Sequence, residues 1–342
     1  MTPKVRPARP RLAILTPVLN EVENLPRYVT TVRGELLDRE DLDAYVLFVD
    51  DGSSDRSWEA IGAICADDPR FRGIRLSRNF GSHTAVWAAM VNVDHGTDAA
   101  AVIACDLQDP PATVTHFVER WRDGADIVWG VRRRRGDAGW RVLASNLFER
   151  LLRRYALPRG SRFATGGFFL LDKRVIRAVL QMRERNRMTF ALVAWTGFDQ
   201  EQVPYDRQER QAGRSGWTFG AMVKSLYDAF IGFSTLPIRV MTIAASVAFV
   251  LTMALSLFLV VSFLVKRPIP GWTSQMFITS FFFGVQFSLT AIMGEYLLRI
   301  YSEVLRRPVY FVSDSTFMDA AGAPAGTVEE APTVVSLTAE RN

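Results

Sequence analysis

Ala99-Ala100-Ala101-Val102-Ile103-Ala104-Cys105-Asp106-Leu107-Gln108-Asp109-Pro110-Pro111 is an apolar run of strand length that stops at an acid and is closed by two prolines. Such a run, apolar throughout rather than alternating, reads as a buried parallel strand, and its acidic end marks the mouth of a cleft. In open α/β sheets ligands bind at that mouth. Asp106 with Gln108 or Asp109 is a candidate oxygen donor set for Mg²⁺ or Mn²⁺ held against a diphosphate, since hard cations often share their ligands with substrate phosphates. An acidic loop that merely caps a helix is the other reading of the stretch.

Outward from this strand the same unit recurs. Leu12 to Thr16 is an apolar strand followed by Pro17-Val18-Leu19-Asn20-Glu21, which leads into a helix reaching about Leu37. Ala44 to Val49 is another, ending in Asp50-Asp51-Gly52-Ser53-Ser54-Asp55; the glycine permits a tight turn, and the Ser/Asp cluster supplies caps for a helix over 57–66. Phe71 to Leu76 and Ile127 to Val131 complete the set, with a helix reaching Val93 between the third and fourth strands. Strand, turn and helix repeated in this way predict an α/β doubly wound, mostly parallel sheet with its working face at the polar strand exits. A helix at about Trp140 to Tyr155 and a strand at Thr165 to Leu171 belong to the same domain.

The rest of the chain has a different texture. Of 342 residues 49% are hydrophobic, and the densest blocks lie between Val240 and Gly294. Val240 to Val265 and Trp272 to Gly294 are uncharged runs of about 26 and 23 residues, where a membrane-spanning helix needs about 20. Lys266 to Gly271 between them is turn-sized, so the expectation is a two-helix transmembrane hairpin. Arg239, Arg299, Arg306 and Arg307 at its outer ends favour a cytosolic location for both chain ends. The expected location is therefore integral to a bacterial inner membrane with the catalytic domain cytosolic. Before the hairpin, Trp217 to Phe233 gathers Met222, Val223, Leu226, Phe230 and Phe233 near one helical face, the pattern of an interfacial amphipathic helix. The domain plan is a basic tail over 1–11, a catalytic domain over 12–216, the interfacial helix over 217–236, the hairpin over 237–300 and a C-terminal segment over 301–342, disordered after about Ser313.

A net charge of +5 and a pI near 9.4 suit phosphorylated ligands or anionic lipid. No nucleic-acid-binding motif accompanies them. Cys65 and Cys105 sit in apolar contexts that read as buried free thiols. His83, His95 and His116 share no spacing, so each reads as structural. Arg132 to Arg135, and Arg207 and Arg210 with Ser215, supply guanidinium forks suited to phosphate, although an arginine run is also an ordinary solvated surface.

Read together, LTPVLNEVENL, FVDDGSSDRS, LSRNFGSHTA, CDLQDPP, ERNR (184–187), GFSTLPIRV and GEYLLRIYSEVLRRPVY (294–310) resemble the bacterial polyprenyl-phosphate glycosyltransferases. These are GT-A enzymes of glycosyltransferase family 2, similar to dolichol-phosphate mannose synthase. The resemblance runs from about Leu12 to Tyr310. It implies a GT-A fold, a homotetramer, and metal-dependent, inverting transfer of one sugar from a nucleotide-sugar to an undecaprenyl-type phosphate for cell-envelope glycans, with UDP-sugars favoured over GDP-mannose as donor. By position it implies nucleotide contacts from Pro17, Asn20, Glu21, Asp50 and Asp51, Mg²⁺ or Mn²⁺ at Asp106 and Gln108, and phosphate handling by Arg132, Arg207, Arg210 and Ser215. The sequence departs from the pattern at Ala104, where such enzymes carry an acid, across 164–169, where many carry acids and an arginine, and at Gly216, where many carry a lysine. A catalytically silent membrane scaffold is the rival reading from those lost acids. A processive polysaccharide synthase is another, although Gln208 to Gly213 does not form the QxxRW element such enzymes carry.

Overall fold

The computed structural model describes residues 6–133, 167–182, 188–208, 271–305 and 307–317, with single positions between 243 and 261. The chain divides into two compact units, one made of Met1–Ser225 together with Pro308–Asn342 and the other of Leu226–Arg307. The expected helices over 140–155 and 217–233 lie outside the described residues, as do Arg210, Ser215 and the 184–187 motif.

The first unit is built on an eight-stranded sheet. Its strands are β1 (Arg11–Val18), β2 (Asp43–Asp50), β3 (Phe71–Leu76), β4 (Ala99–Val102), β5 (Ile127–Arg132), β6 (Phe169–Asp172), β7 (Gln200–Tyr205) and β8 (Val312–Ser315), in the spatial order β7-β5-β6-β4-β1-β2-β3-β8. The central strands β1, β2, β3 and β4 are mutually parallel; β1, β2 and β4 are nearly free of exposed residues, which explains their apolar runs, whereas β3 interleaves the half-buried Arg72 and Arg75. β6 runs antiparallel to both β4 and β5, and β7 runs parallel to β5. It follows that β5 and β7 point the same way as β1 to β4, and six strands end on one edge of the sheet.

Helices α1 (Leu25–Val32), α2 (Ser57–Asp67), α3 (Ser82–Val91), α4 (Thr113–Arg122), α5 (Lys173–Leu180) and α6 (Thr189–Trp195) accompany the strands. Pro26 at the start of α1 costs no intrahelical bond there, and a π-helical turn over Arg33–Leu37 closes that segment. Tyr28, Phe48 and Phe71 form an aromatic chain across the core, with Phe48 stacked on Phe71 at 5.9 Å. Burying side chains of this size contributes about 1.5–3 kcal/mol each.

The edge opposite the strand exits is closed by ion pairs. Arg6 lies 4.4 Å over the Trp121 ring and pairs with Asp126 and Asp172, both buried. Arg174 joins the same two carboxylates, and Trp121 Nε1 donates to Asp172. Asp172 Oδ1 also accepts from the Arg174 amide and so caps α5.

β8 spans the point, about Ser313, after which disorder is expected, and pairs antiparallel with β3; residues 318–342 lie outside the described ones. One expectation is corrected, and it concerns the membrane. The second apolar run forms the 33-residue helix α7 (Trp272–Val304), whereas the first lies mostly outside the described residues. Among the described residues no helix is long and apolar enough to cross a membrane, which overturns the two-helix transmembrane hairpin and the integral-membrane location. Within α7 the Thr290 hydroxyl bonds back to the Gln286 carbonyl at 2.9 Å.

Candidate active site

The loops after β1 and β2 are interlocked. Asn20, in a left-handed backbone conformation with φ 54°, accepts on its side-chain oxygen from Ser54 N at 2.8 Å, and its own amide donates to Ser53 Oγ at 2.9 Å. The Glu21 amide donates to Ser57 Oγ at 3.0 Å, and the Val22 amide to Asp55. The Asp51 amide donates to Val18 O at 2.8 Å, continuing the β1–β2 ladder past its end. Pro17 is partly buried in the ladder itself.

Asp50 and Asp51 hold loops in place. Asp50 is fully buried; one of its oxygens accepts from the Ser53 amide at 3.2 Å and the other lies 3.2 Å from Arg75 Nε. Asp51, 2% exposed, accepts from the Phe80 and Gly81 amides at 2.7 and 2.8 Å and pins the loop leading into α3. Burial raises both carboxyls, opposed at Asp50 by its bonds to Ser53 and at Asp51 by those two amides. Gly52 is required between these segments and the loop after β3: its φ is +70°, and a Cβ there would come within 2.5 Å of the Arg78 backbone. Asn20 is exposed and Glu21 partly exposed, whereas both aspartates are buried.

The exit of β4 is different in character. β4 ends at Val102, and after Ile103 the chain turns through Ala104 to Asp109. Leu107 takes φ 51°, a left-handed conformation that costs a non-glycine residue about 1–2 kcal/mol. Asp106 and Gln108 on either side are partly exposed, and Asp106 Oδ1 accepts from the Gln108 amide at 3.2 Å. Cys105 is buried, and its thiol is pushed well up by burial and further by the charges of Glu21 and Asp106, which both lie in its electrostatic reach.

Arginines from two other exits meet this turn. Arg207 donates to Gln108 Oε1, and the Gln208 amide donates to Gln108 O at 2.9 Å. Arg132, last residue of β5, lies beside Tyr205, last residue of β7, whose hydroxyl donates to Asp109. Gln108, Asp109, Arg132 and Arg207 are thus brought together, with Asp106 adjoining; Arg210 and Ser215 are outside the described residues. Tyr205 was not legible as a site residue, because β7 carries Pro204 and alternates polar with buried positions too loosely to read as a strand.

Residues 13–180 match the family described as glycosyl transferase family 2. An uncharacterized glycosyltransferase of Synechocystis is 33% identical over 309 residues, covering 89% of this chain and 95% of the relative. The chain belongs to glycosyl transferase family 2. It is a glycosyltransferase with an α/β GT-A fold and a mostly parallel, mixed sheet. A prophage-derived bactoprenol glucosyl transferase of Shigella flexneri is 30% identical over 308 residues, covering 89% of this chain and 98% of the relative. Among solved structures, a mannosyltransferase of Pyrobaculum calidifontis in complex with GDP-Man and Mn²⁺ is 14% identical, covers 82% of this chain and 87% of its own, and has a TM-score of 0.42, too distant to bear on the site.

The donor set sets terms for a metal. Among the described residues no group of three or more His, Cys, Asp or Glu side chains is placed to hold one. Asp106 with Gln108 fits a divalent ion that draws its remaining oxygens from substrate phosphates and water, the ordinary habit of Mg²⁺. With alanine at 104, no second carboxylate comes from that position.

Proposed function

We propose that this family 2 glycosyltransferase moves a single sugar, with inversion, from a nucleotide-sugar to a polyprenyl phosphate of the undecaprenyl type. The observation that carries the reading is the meeting of the Asp106–Gln108 turn with Arg132 and Arg207 on one sheet edge, an acid set among cations as a diphosphate requires. The name of the bactoprenol glucosyl transferase relative supports the acceptor and makes UDP-glucose the first donor to test.

The acceptor explains why no strong base is needed. A phosphate monoester has a second pKa of about 6 and is already ionised near neutrality. Its oxygen forms a bond to the anomeric carbon as the bond from that carbon to the diphosphate breaks, and the nucleoside diphosphate leaves with the electron pair. The protein holds the two phosphorylated partners in line. Arg132 and Arg207, with Arg210 and Ser215, bind phosphate oxygens; Pro17, Asn20 and Glu21 line the nucleotide's place, backed by Asp50 and Asp51. Asp106 and Gln108 would hold Mg²⁺ or Mn²⁺, which when bound supplies charge neutralisation at the departing diphosphate.

The test is a panel of UDP-sugars and GDP-mannose with undecaprenyl phosphate and Mg²⁺ or Mn²⁺, following nucleoside diphosphate release and sugar in the lipid fraction. Release that depends on the lipid phosphate is expected. Absence of lipid-linked sugar under every pairing overturns the reading.

A further inference from the structure

Tyr205 is the residue through which three strand exits touch. Its ring is buried and set edge-on to Phe168 at 5.1 Å, in a niche that exists because position 130 is glycine. A Cβ on Gly130 would lie 2.7 Å from Phe168 and 3.0 Å from Tyr205. The phenol hydroxyl donates to Asp109 Oδ1 and lies 3.4 Å from Arg132 Nε, from which it accepts. Backbone bonds reinforce the junction: the Arg133 amide donates to Tyr205 O and the Gln208 amide to Gln108 O, each at 2.9 Å. Asp109 itself is 8% exposed and is followed by Pro110-Pro111, so its carboxylate faces Tyr205 instead of the cleft.

We propose that Tyr205 and Asp109 are positioning residues, a latch that holds the Asp106–Gln108 turn and Arg132 in one geometry toward the donor's diphosphate. The strained Leu107 backbone explains why a latch is needed: a left-handed leucine persists only where its surroundings over-determine it, and here the bonds to Gln108 and Asp109 do so. The latch has no neutral-pH switch, because burial and the Asp109 charge raise the phenol above its ordinary value and keep it a donor. The turnover part of this proposal rests on the transferase reading; the coupling of the loops does not.

The experiment uses the full chain with Tyr205→Phe, Asp109→Asn and the double variant. Tyr205→Phe keeps the ring in its niche and removes only the hydroxyl. It is expected to lower kcat between about 10- and 100-fold, a typical cost of misplaced catalytic groups, with donor KM little changed and Tm lowered by only a few degrees through the lost bond to Asp109, too little to unfold the chain at the assay temperature. The double variant is expected to be no worse than the poorer single one, as for two members of one interaction. Amide hydrogen exchange supplies an arm that needs no sugar transfer: loops 106–109 and 205–208 should loosen together in Tyr205→Phe, while β1 and β2 stay protected. Unchanged kcat, additive losses, a fall in Tm that accounts for the lost rate, or loosening of one loop alone each overturn the latch. A wild-type chain that transfers no sugar overturns the transferase reading, and the exchange result still decides the coupling.

Discussion

Both edges of the sheet carry buried carboxylates, and they use them in opposite ways. At the closed edge Asp126 and Asp172 are answered by Arg6 and Arg174, with a tryptophan N–H and a helix-capping amide taking further acceptor positions. At the open edge Asp50 and Asp51 are tied largely to backbone amides, Asp109 is held by a phenol, and Asp106 and Arg132 stay partly exposed. An acidic strand end alone does not mark a site. What marks it is direction: six strands deliver their last residues to one edge, so charge accumulates there from segments far apart in sequence.

The largest effect expected from breaking this contrast lies at the closed edge. Asp172→Ala leaves the Arg6 guanidinium short of a partner, uncaps α5 and strands the Trp121 N–H, and should cost about 3–5 kcal/mol in a denaturant titration. Turnover per folded molecule should hold. At the open edge the pattern reverses: Asp106→Asn should leave the denaturation midpoint nearly unmoved and lower turnover about 100-fold or more, read as nucleoside diphosphate release. Near wild-type rates in that variant would sink the metal assignment. The smallest effect is one of pH. His83, near the start of α3 and against the Phe190 ring, is lowered by burial from 6.5 to about 4. The native imidazole is neutral where the unfolded one takes a proton, so stability rises with pH between about 4 and 6.5 and is lost as pH falls through that window. Acidification from about pH 7 to 5 should cost on the order of 1–2 kcal/mol through this group, and His83→Leu should flatten that part of the pH profile of Tm.

Much of the first unit was legible because its central strands are buried on both faces and therefore read as apolar runs ending in turn residues. β6, observed over Phe169–Asp172, was expected over 165–171, because the Gly166-Gly167 pair that precedes its apolar run was read into the strand instead of as its boundary. β7 and β8 escaped because edge strands alternate with polar residues and borrow their order from a neighbour. In the site, Asp106, Gln108 and Arg207 could be named from residue chemistry, whereas the junction at Tyr205 depends on Gly130 and Phe168, whose meeting with it is set by packing alone. The membrane expectation is overturned by the finding that no described helix is long and apolar enough to cross a membrane: an uncharged run read from the sequence is not by itself a spanning helix.

The position of β8 at the sheet margin has a consequence for biosynthesis. β3 completes its hydrogen bonds only when Val312–Ser315 arrives, with Ser77 and Gly73 amides bonded to Phe311 and Thr316. The ribosome makes those residues after the whole of Leu226–Arg307, roughly a hundred residues past β7 and on the order of 5–20 s later. Throughout that interval the nascent sheet has an unhemmed border, the kind that recruits strands from other chains. A message truncated before codon 312 would make that border permanent, so a chain ending there should sediment as aggregates even with every residue of the catalytic edge intact.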